Sequence, residues 1–138
     1  MMTVNDLSRR TGVTSHAVRY YSRIGLLNPG RNPDNGYRIF DRGDLARLKF
    51  IRQAQSLGFT LEEISDILKE GEQGRAPCPQ VRDILRRHIE ENRRKLAEMM
   101  DLQQRMEEAL EHWEAMPDGV PDGHSVCHLI ESESGLDS

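Results

Sequence analysis

The sequence of 138 residues has few of the features of membrane, secreted or disulfide-stabilised proteins. It contains only two cysteines and 5% aromatic residues. No apolar run approaches the ~20 residues of a membrane-spanning helix. The first residues lack the apolar core of a signal peptide, so we expect a cytoplasmic protein with no membrane partner. In the cytoplasm, two cysteines are expected as thiols or metal ligands and not as a disulfide.

Features of enzymes are missing as well. We find no glycine-rich phosphate loop, no cofactor motif, and no nucleophile accompanied by a base and an orienting acid, so we do not expect an enzyme. Hydrophobic residues make up 36% of the chain and charged residues 30%. This hydrophobic content is lean for a compact monomer of this length, which favours burial between subunits.

The net charge of −4 is the sum of a basic first part and an acidic second part of the chain. Residues 1–59 contain ten Lys and Arg against four Asp and Glu, a net charge of +6. Residues 60–138 contain nine Lys and Arg against nineteen Asp and Glu, a net charge of −10. A basic first half beside an acidic second half predicts a polyanionic partner that binds at one end of the molecule.

Residues 78–115 are predicted to form one long helix, which at ~1.5 Å per residue is on the order of 55 Å long. Nine positions on it alternate at spacings of four and three, and seven of them are apolar, as in the seam of a coiled coil. Nothing else in the chain is long enough to cover this seam, so we predict a homodimer. The two helix ends differ in residue type, which favours an antiparallel pairing. The seam positions are Leu85, Ile89, Asn92, Leu96, Met99, Gln103, Met106, Leu110 and Trp113.

Two short helices are predicted near the start of the chain. Thr3 with Asp6 resembles a capping signal, and Gly12 ends the first helix. Thr14 and Ser15 offer a cap for the second helix. Its inward positions are Ala17, Val18, Tyr21 and Ile24.

Such a pair of helices is a helix-turn-helix, in which the second helix lies in the major groove of DNA. The candidate DNA-binding residues at its start and on its outward face have side chains that can contact phosphates and base edges. They are Thr14, Ser15, His16, Arg19 and Tyr20.

A small β-hairpin is predicted after the helix-turn-helix. Residues 28–36 are rich in turn formers, Asn35-Gly36 is a tight-turn signal, and residues 37–40 are extended. On this wing, Arg31, Tyr37 and Arg38 are expected to face DNA phosphates. For Tyr37 the sequence leaves a second interpretation open, an aromatic ring that covers the core.

Two further helices are predicted, the third beginning at Asp41 or Asp44 and running to about residue 57. The fourth covers residues 61–68 behind a capping box formed by Thr60 and Glu63. The predicted fold is mainly α. It consists of a winged DNA-binding domain (residues 1–70), a linker (71–77), a dimerisation helix (78–115) and an effector loop with tail (116–138). Within that last segment, residues 126–130 are expected to form one or two helical turns, and residues 132–138 to be frayed.

Three blocks of sequence together resemble the MerR family of bacterial transcription regulators: RYYSRIGLL at 19–27, NGYRIF at 35–40 and LGFTLEEI at 57–64. The resemblance implies a winged-helix DNA-binding domain and an antiparallel coiled-coil homodimer on double-stranded promoter DNA. It also implies a palindromic operator between promoter elements that are spaced too far apart. Effector binding then distorts the DNA so that both elements face the RNA polymerase holoenzyme.

The short second half indicates the metal-responsive branch of that family. Members that bind organic drugs have a large additional ligand domain, whereas only a loop and a few residues follow the long helix here. A version with an iron–sulfur cluster on four cysteines is excluded, because the chain contains two.

In the metal-responsive branch, a cysteine at the start of the long helix of one subunit joins residues of the loop in the other. Cys78 matches the first position, where we expect it to cap the helix before Pro79. Cys127 matches the ligand that closes the loop. His124 lies three residues before Cys127 and is the third candidate ligand.

Many divalent-metal members have another cysteine at the end of the long helix, where this chain has His112-Trp113. This departure favours a mixed sulfur and nitrogen site, for which zinc is most suitable, with cadmium, cobalt, lead or mercury as alternatives. The presence of Cys78 argues against a monovalent copper sensor, since those resemble a pattern without it. His112 and His128 are further candidate ligands.

Two other functions remain open at this point. One is a regulator of the same architecture that senses oxidants or electrophiles through a cysteine thiol. The other is an architectural DNA-binding dimer without an effector. Metal bound stoichiometrically to the purified dimer distinguishes the first from a metal sensor, and promoter output that is independent of metal indicates the second.

Overall fold

A computed structural model describes residues 1–133, which form six helices and one two-stranded antiparallel sheet. The chain divides into two compact units, Met1–His88 and a second unit that begins at Ile89. Within residues 1–133, no helix combines the length and the apolar character needed to cross a membrane. The elements are α1 Val4–Thr11, α2 Ser15–Arg23, β1 Gly30–Arg31, β2 Arg38–Ile39, α3 Arg42–Ser56, α4 Leu61–Glu72, α5 Cys78–Glu114 and α6 His128–Glu131.

Reciprocal capping boxes begin three of these helices. In each box, the side chain of the cap residue accepts from the third helical N–H, and the third residue's carboxylate accepts from the cap N–H. Loss of such a cap typically costs about 0.5–2 kcal/mol. The predicted caps of α1 and α4 are confirmed, and of the two alternatives for α3, Asp41 is the cap. The pairs are Thr3 with Asp6, Asp41 with Asp44, and Thr60 with Glu63.

The turn between α1 and α2 follows the prediction. Gly12 adopts a φ of 77°, a left-handed conformation that favours glycine, and its N–H bonds the carbonyl of Ser8. Thr14 caps α2 by accepting from the N–H of Ala17. The expected inward position of Ile24 is wrong, since Ile24 is 46% exposed. It follows the last residue of α2, where the chain turns, and Leu27 is fully buried instead.

The predicted hairpin is present, with a longer turn than Asn35-Gly36 alone would form. Gly30 pairs with Ile39, and Arg31 pairs with Arg38. The turn is closed by a bond from the N–H of Asn32 to the carbonyl of Tyr37. A further bridge between Met2 and Phe40 attaches the start of the chain beside the hairpin.

The hydrophobic core of the unit Met1–His88 draws on every helix in it. Its fully buried side chains come from α1 to α4 and the segments between them, and the start of α5 adds Ile84, which is 3% exposed. Val81 and Leu85 pack against the same core from neighbouring turns of α5. The largest fully buried side chains are Phe40, Leu7, Leu27, Leu48, Ile51, Ile64 and Val18.

The long helix is confirmed as α5, which spans 37 residues. The predicted cap at its start is wrong, because Cys78 is itself the first helical residue and the carbonyl of Pro77 accepts from the N–H of Val81. Helix α4 is longer than predicted and ends at Glu72. A single helical turn, α6, overlaps residues 126–130, which were expected to be helical, and begins and ends later than expected. Most of the segment expected to be frayed, residues 134–138, lies outside the described residues.

Candidate functional site

An open groove of about 510 Å³ lies between the helix-turn-helix and the wing. Its lining includes four of the predicted DNA-binding residues, from α2 and from both strands and the turn of the wing. Three of the lining residues are arginines and none is acidic, so the groove is suited to an anion such as a DNA phosphate. The lining residues are Thr3, Val4, Asn5, Arg19, Arg31, Gly36, Tyr37 and Arg38.

The wing holds its own side chains in place. The guanidinium of Arg31 donates through Nη1 to the carbonyl of Gly36 at 2.9 Å, across the turn. The side chain of Asn35 accepts from the N–H of Tyr37 at 3.0 Å. Tyr37 is 72% exposed, so the alternative that its ring covers the core is wrong. Its ring and hydroxyl are therefore accessible from solvent beside the arginines.

The remaining predicted DNA-binding residues lie on α2 or at its cap and are not among the residues that line the groove. The hydroxyl oxygen of Thr14 is engaged as the cap of α2. His16 is exposed, and Tyr20 is half-exposed with the guanidinium of Arg23 5.4 Å from its ring centre. His16 near the start of α2 and Tyr20 in its second half are therefore accessible to base edges or phosphates.

Residues at the start of α1 line the groove, which the sequence interpretation missed. Ser15 donates to the side-chain oxygen of Asn5 at 3.1 Å, and this bond joins α1 to the start of α2. The bridge between Met2 and Phe40 places the start of α1 beside the wing. No sequence signal predicts that α1 lines the groove, because the bridge between Met2 and Phe40 joins residues 38 positions apart.

A polar junction connects α4 to the first part of α5. The Nε2 atom of His88 lies 2.8 Å and 3.1 Å from the two carboxylate oxygens of Glu63, and its ring contacts Phe59 edge-on. Burial alone would raise the pKa of Glu63, but the Thr60 N–H and His88 outweigh it and leave that pKa below its ordinary value. This carboxylate therefore both caps α4 and holds α5.

The apolar row beyond His88 is exposed within a single chain. The exposed fraction ranges from 45% to 63% for its large residues Ile89, Leu96, Met99, Met106 and Leu110. Trp113 is half-buried, and its indole N–H has no hydrogen-bond acceptor within the described residues. A row of this size is more than isolated exposed apolar residues and indicates an interaction surface.

The two cysteines are both free thiols. Cys78 is exposed at the start of α5, and Cys127 is half-buried at the cap position of α6. The side chain of Cys127 makes no capping hydrogen bond, so its sulfur is not used by the helix. Within residues 1–133 of one chain, no three His, Cys, Asp or Glu side chains are grouped as a metal site.

The loop of residues 116–127 lies between α5 and α6 and contains His124 and Cys127, two of the predicted metal ligands. We call it the sensor loop after that prediction. The carboxylate of Asp122 accepts from the backbone N–H groups of His124 and Ser125, both at 2.9 Å, and these bonds lower the pKa of Asp122. His128, on α6, lies 2.9 Å through Nε2 from the carbonyl of Pro117. His112 is exposed in the last turn of α5.

Comparison with known proteins identifies two family matches. Residues 2–71 match the family described as MerR HTH family regulatory protein. Residues 45–109 match the family described as MerR, DNA binding.

Two relatives and one solved structure show how much of the chain is shared. The HTH-type transcriptional regulator HmrR of Sinorhizobium medicae (strain WSM419) is 32% identical, over 94% of this chain and 84% of that protein. Heavy metal-dependent transcription regulator 2 of Rhizobium meliloti (strain 1021) is 30% identical over the same shares. The structure of the transcription regulator PbrR691 from Ralstonia metallidurans CH34 in complex with lead(II) has a TM-score of 0.74. It shares 23% identity and covers 96% of this chain and 100% of that chain, a likeness of fold.

Proposed function

The chain belongs to the MerR family of helix-turn-helix regulatory proteins, and we propose that it is a metal-responsive transcriptional regulator of the cytoplasm. In this proposal a homodimer binds a palindromic operator in promoter DNA and activates transcription by distorting the DNA for RNA polymerase. The family assignment agrees with the expectation that the chain is a regulator and not an enzyme. The observation on which the proposal chiefly rests is the arginine-lined groove beside α2.

The groove supports a specific mode of DNA binding. Arg19 points from α2 toward the space that it shares with Arg31 and Arg38 of the wing. One phosphate backbone can therefore be held between helix and wing while the exposed start of α2 meets the bases. The bond from Arg31 to the carbonyl of Gly36 orders the wing before DNA arrives, which lowers the entropic cost of binding.

The charge pattern of α5 supports an antiparallel dimer. Residues 78–95 contain six Lys and Arg against three Asp and Glu, and residues 96–114 contain one Arg against six Asp and Glu. This order opposes the helix macrodipole, which prefers acidic residues at the start and basic residues at the end. An antiparallel partner places each acidic half beside a basic half, whereas a parallel partner places like charges together.

The exposed apolar row provides the attraction for that dimer. Its leucine, isoleucine and methionine side chains lie at the spacing of a coiled-coil seam, and each is about half exposed or more in one chain. Burial of such side chains contributes roughly 1.5–3 kcal/mol each when complete. The row thus supplies the attraction between two copies, and the charge pattern favours their antiparallel orientation.

The donor groups support a divalent metal as the effector. A thiol on Cys78 of one copy, with the thiol of Cys127 and the imidazole of His124 of a second copy, makes a sulfur and nitrogen set that suits zinc, with cadmium or cobalt next. The name of the R. meliloti relative, which is heavy metal-dependent, agrees with this class of effector. When bound, the metal supplies a link between the start of one long helix and the sensor loop of the other copy.

Residues in the first turns of α5 connect the proposed metal link to the DNA-binding core. Ile84 and the pair of His88 with Glu63 join the first turns of α5 to the DNA-binding core. A restraint on Cys78 therefore acts on an element that is packed against that core. The dimer then has two arrangements, one with the metal link at Cys78 and one without it. The effector shifts the equilibrium toward the arrangement that it binds more tightly.

The experiment uses the purified, reduced dimer, promoter DNA and zinc. Cys78→Ser is expected to abolish the response of transcription to zinc while operator affinity stays nearly unchanged, and Ser56→Ala on exposed α3 surface serves as a control. An unchanged zinc response in Cys78→Ser contradicts the metal proposal. A response to oxidant without bound metal indicates a thiol sensor instead, and output independent of both indicates an architectural protein.

A further inference from the structure

We propose that His128 is a positioning residue that holds the sensor loop in the shape needed for Cys127 and His124, and that it is not itself a metal ligand. This inference rests on the proposed function, since it assigns a role within the same site.

Both sides of the His128 ring are engaged by the first residues of the loop. A carbonyl oxygen can only accept, so the 2.9 Å contact with Pro117 requires that Nε2 of His128 carries the proton and donates. On the other side, a Cβ added to Gly119 would lie 2.4 Å from Nδ1 and 2.6 Å from Cε1. The main chain at Gly119 therefore lies against the Nδ1 edge of the ring, while Nε2 is engaged by the Pro117 carbonyl.

Two carboxylates fix the main chain on which the candidate ligands lie. The oxygens of Glu131 accept from the N–H groups of Val126 and Cys127, each at 3.1 Å. Asp122 accepts from the N–H of His124 at 2.9 Å. Each candidate ligand of the loop thus has its backbone N–H held by a carboxylate.

The division of roles follows from these contacts. His124 enters the network through its backbone N–H, and Cys127 makes no capping bond through its sulfur, so both side chains stay available. His128 instead uses its imidazole to join α6 to the beginning of the loop. Groups of this second kind orient ligands, and their removal typically lowers metal affinity by about 10–100-fold.

The first test measures cobalt(II) binding to the reduced, full-length dimer by absorption spectroscopy. His128→Ala is expected to weaken cobalt affinity by about 10–100-fold while the spectrum of the saturated protein stays the same. His128→Gln is expected to recover most of the affinity, because its amide N–H can reach the Pro117 carbonyl. His124→Ala is expected to change the saturated spectrum. A spectrum of His128→Ala that has lost a nitrogen ligand, or a failure of His128→Gln to recover affinity, overturns the proposal.

The second test needs no metal and measures amide hydrogen exchange at Val126 and Cys127. Gly119→Ala is expected to speed exchange in the wild-type background but to add little in His128→Ala, because the added Cβ then meets no ring. Gly123→Ala is the matched control: Gly123 has a φ of 91° and nothing within 4 Å of an added Cβ, so its backbone strain persists in both backgrounds. Independent, additive effects of Gly119→Ala and His128→Ala contradict the inference.

The two tests separate this inference from the function on which it rests. If the wild-type dimer binds no cobalt, zinc or cadmium, the metal proposal fails, and the exchange measurement alone decides whether His128 holds the loop. If metal binds and the exchange effects are additive, the metal proposal stands and the role of His128 is overturned.

Discussion

The two units of the chain differ in where their leucines lie. In the unit Met1–His88, Leu7 and Leu48 have no exposed surface. In the unit that begins at Ile89, Leu96 is 62% exposed and Leu110 is 55% exposed. The first unit packs its leucines against its own core, with the exception of the 60% exposed Leu57, whereas the second keeps a row of apolar residues exposed. The same residue type therefore stabilises the fold in one unit and is available for association in the other.

The largest effect is expected when the same substitution is made in both units. Leu48→Ala removes a fully buried side chain and should lower the free energy of unfolding by about 2–5 kcal/mol. Leu96→Ala, measured at a protein concentration low enough to favour single chains, should change it by less than about 0.5 kcal/mol. Urea unfolding followed by circular dichroism checks both values. Equal losses would remove the distinction between the units.

A charge placed in the exposed row should act on association alone. Leu96→Glu is expected to weaken the dimer by about 100-fold or more, because a buried, unpaired carboxylate costs several kcal/mol. Gln104→Glu adds the same charge to α5 outside the row and loses only a surface bond to Glu108, so it serves as the control. Light scattering over a dilution series measures the effect. A dimer that is equally stable in both variants would show that the row is not the interface.

DNA binding should depend on the groove of the first unit. Arg19→Ala is expected to weaken operator affinity by about tenfold. It should also reduce the slope of the logarithm of affinity against the logarithm of salt concentration by about one, because one fewer counterion is released. Arg9→Ala is the control, since Arg9 is exposed on α1 and pairs with Asp6 outside the groove. Fluorescence anisotropy at several salt concentrations distinguishes the two variants. Similar losses for Arg9→Ala and Arg19→Ala would indicate general charge attraction without a groove.

The smallest effect concerns the junction of α4 with α5. Because the native pKa of Glu63 lies below its ordinary value of 4.5, the stability that its carboxylate contributes is complete above that pH. The contribution is lost as the pH falls through the lower native pKa. Glu63→Gln should therefore flatten the dependence of unfolding free energy on pH below 4.5, while Glu62→Gln on the exposed side of α4 should not. If unfolding free energy depended on pH in the same way in both variants, the stabilising role assigned to the Glu63 carboxylate would be contradicted.

Local signals made much of the fold predictable. The capping pairs at Thr3 and Thr60 and the glycine at position 12 act within a few residues, and these predictions are confirmed. The long helix α5 is confirmed as well, while the coiled-coil pairing that its apolar spacing indicates stays a prediction. Ile24 was misplaced because its helix ends one residue earlier. The periodicity that suggested an inward position no longer applies beyond Arg23.

Contacts between distant segments were beyond sequence reasoning. The groove includes Asn5 because Met2 pairs with Phe40 beside the wing. The local sequence of α1 contains no signal that predicts this pairing. The bond between His128 and the carbonyl of Pro117 likewise depends on how the loop closes. The metal ligands stay a prediction, since the proposed set of Cys78, His124 and Cys127 is divided between two copies.

The central claim is that two copies pair antiparallel through α5, and a distance between identical positions tests it most directly. A spin label at Arg82→Cys, in a chain with Cys78→Ser and Cys127→Ser, reports the separation of the two labels in the dimer by pulsed electron resonance. Antiparallel helices that overlap along the whole row predict a separation of roughly 50 Å at ~1.5 Å per residue. A separation near the interaxial distance of about 10 Å, or no dipolar coupling, would contradict the account.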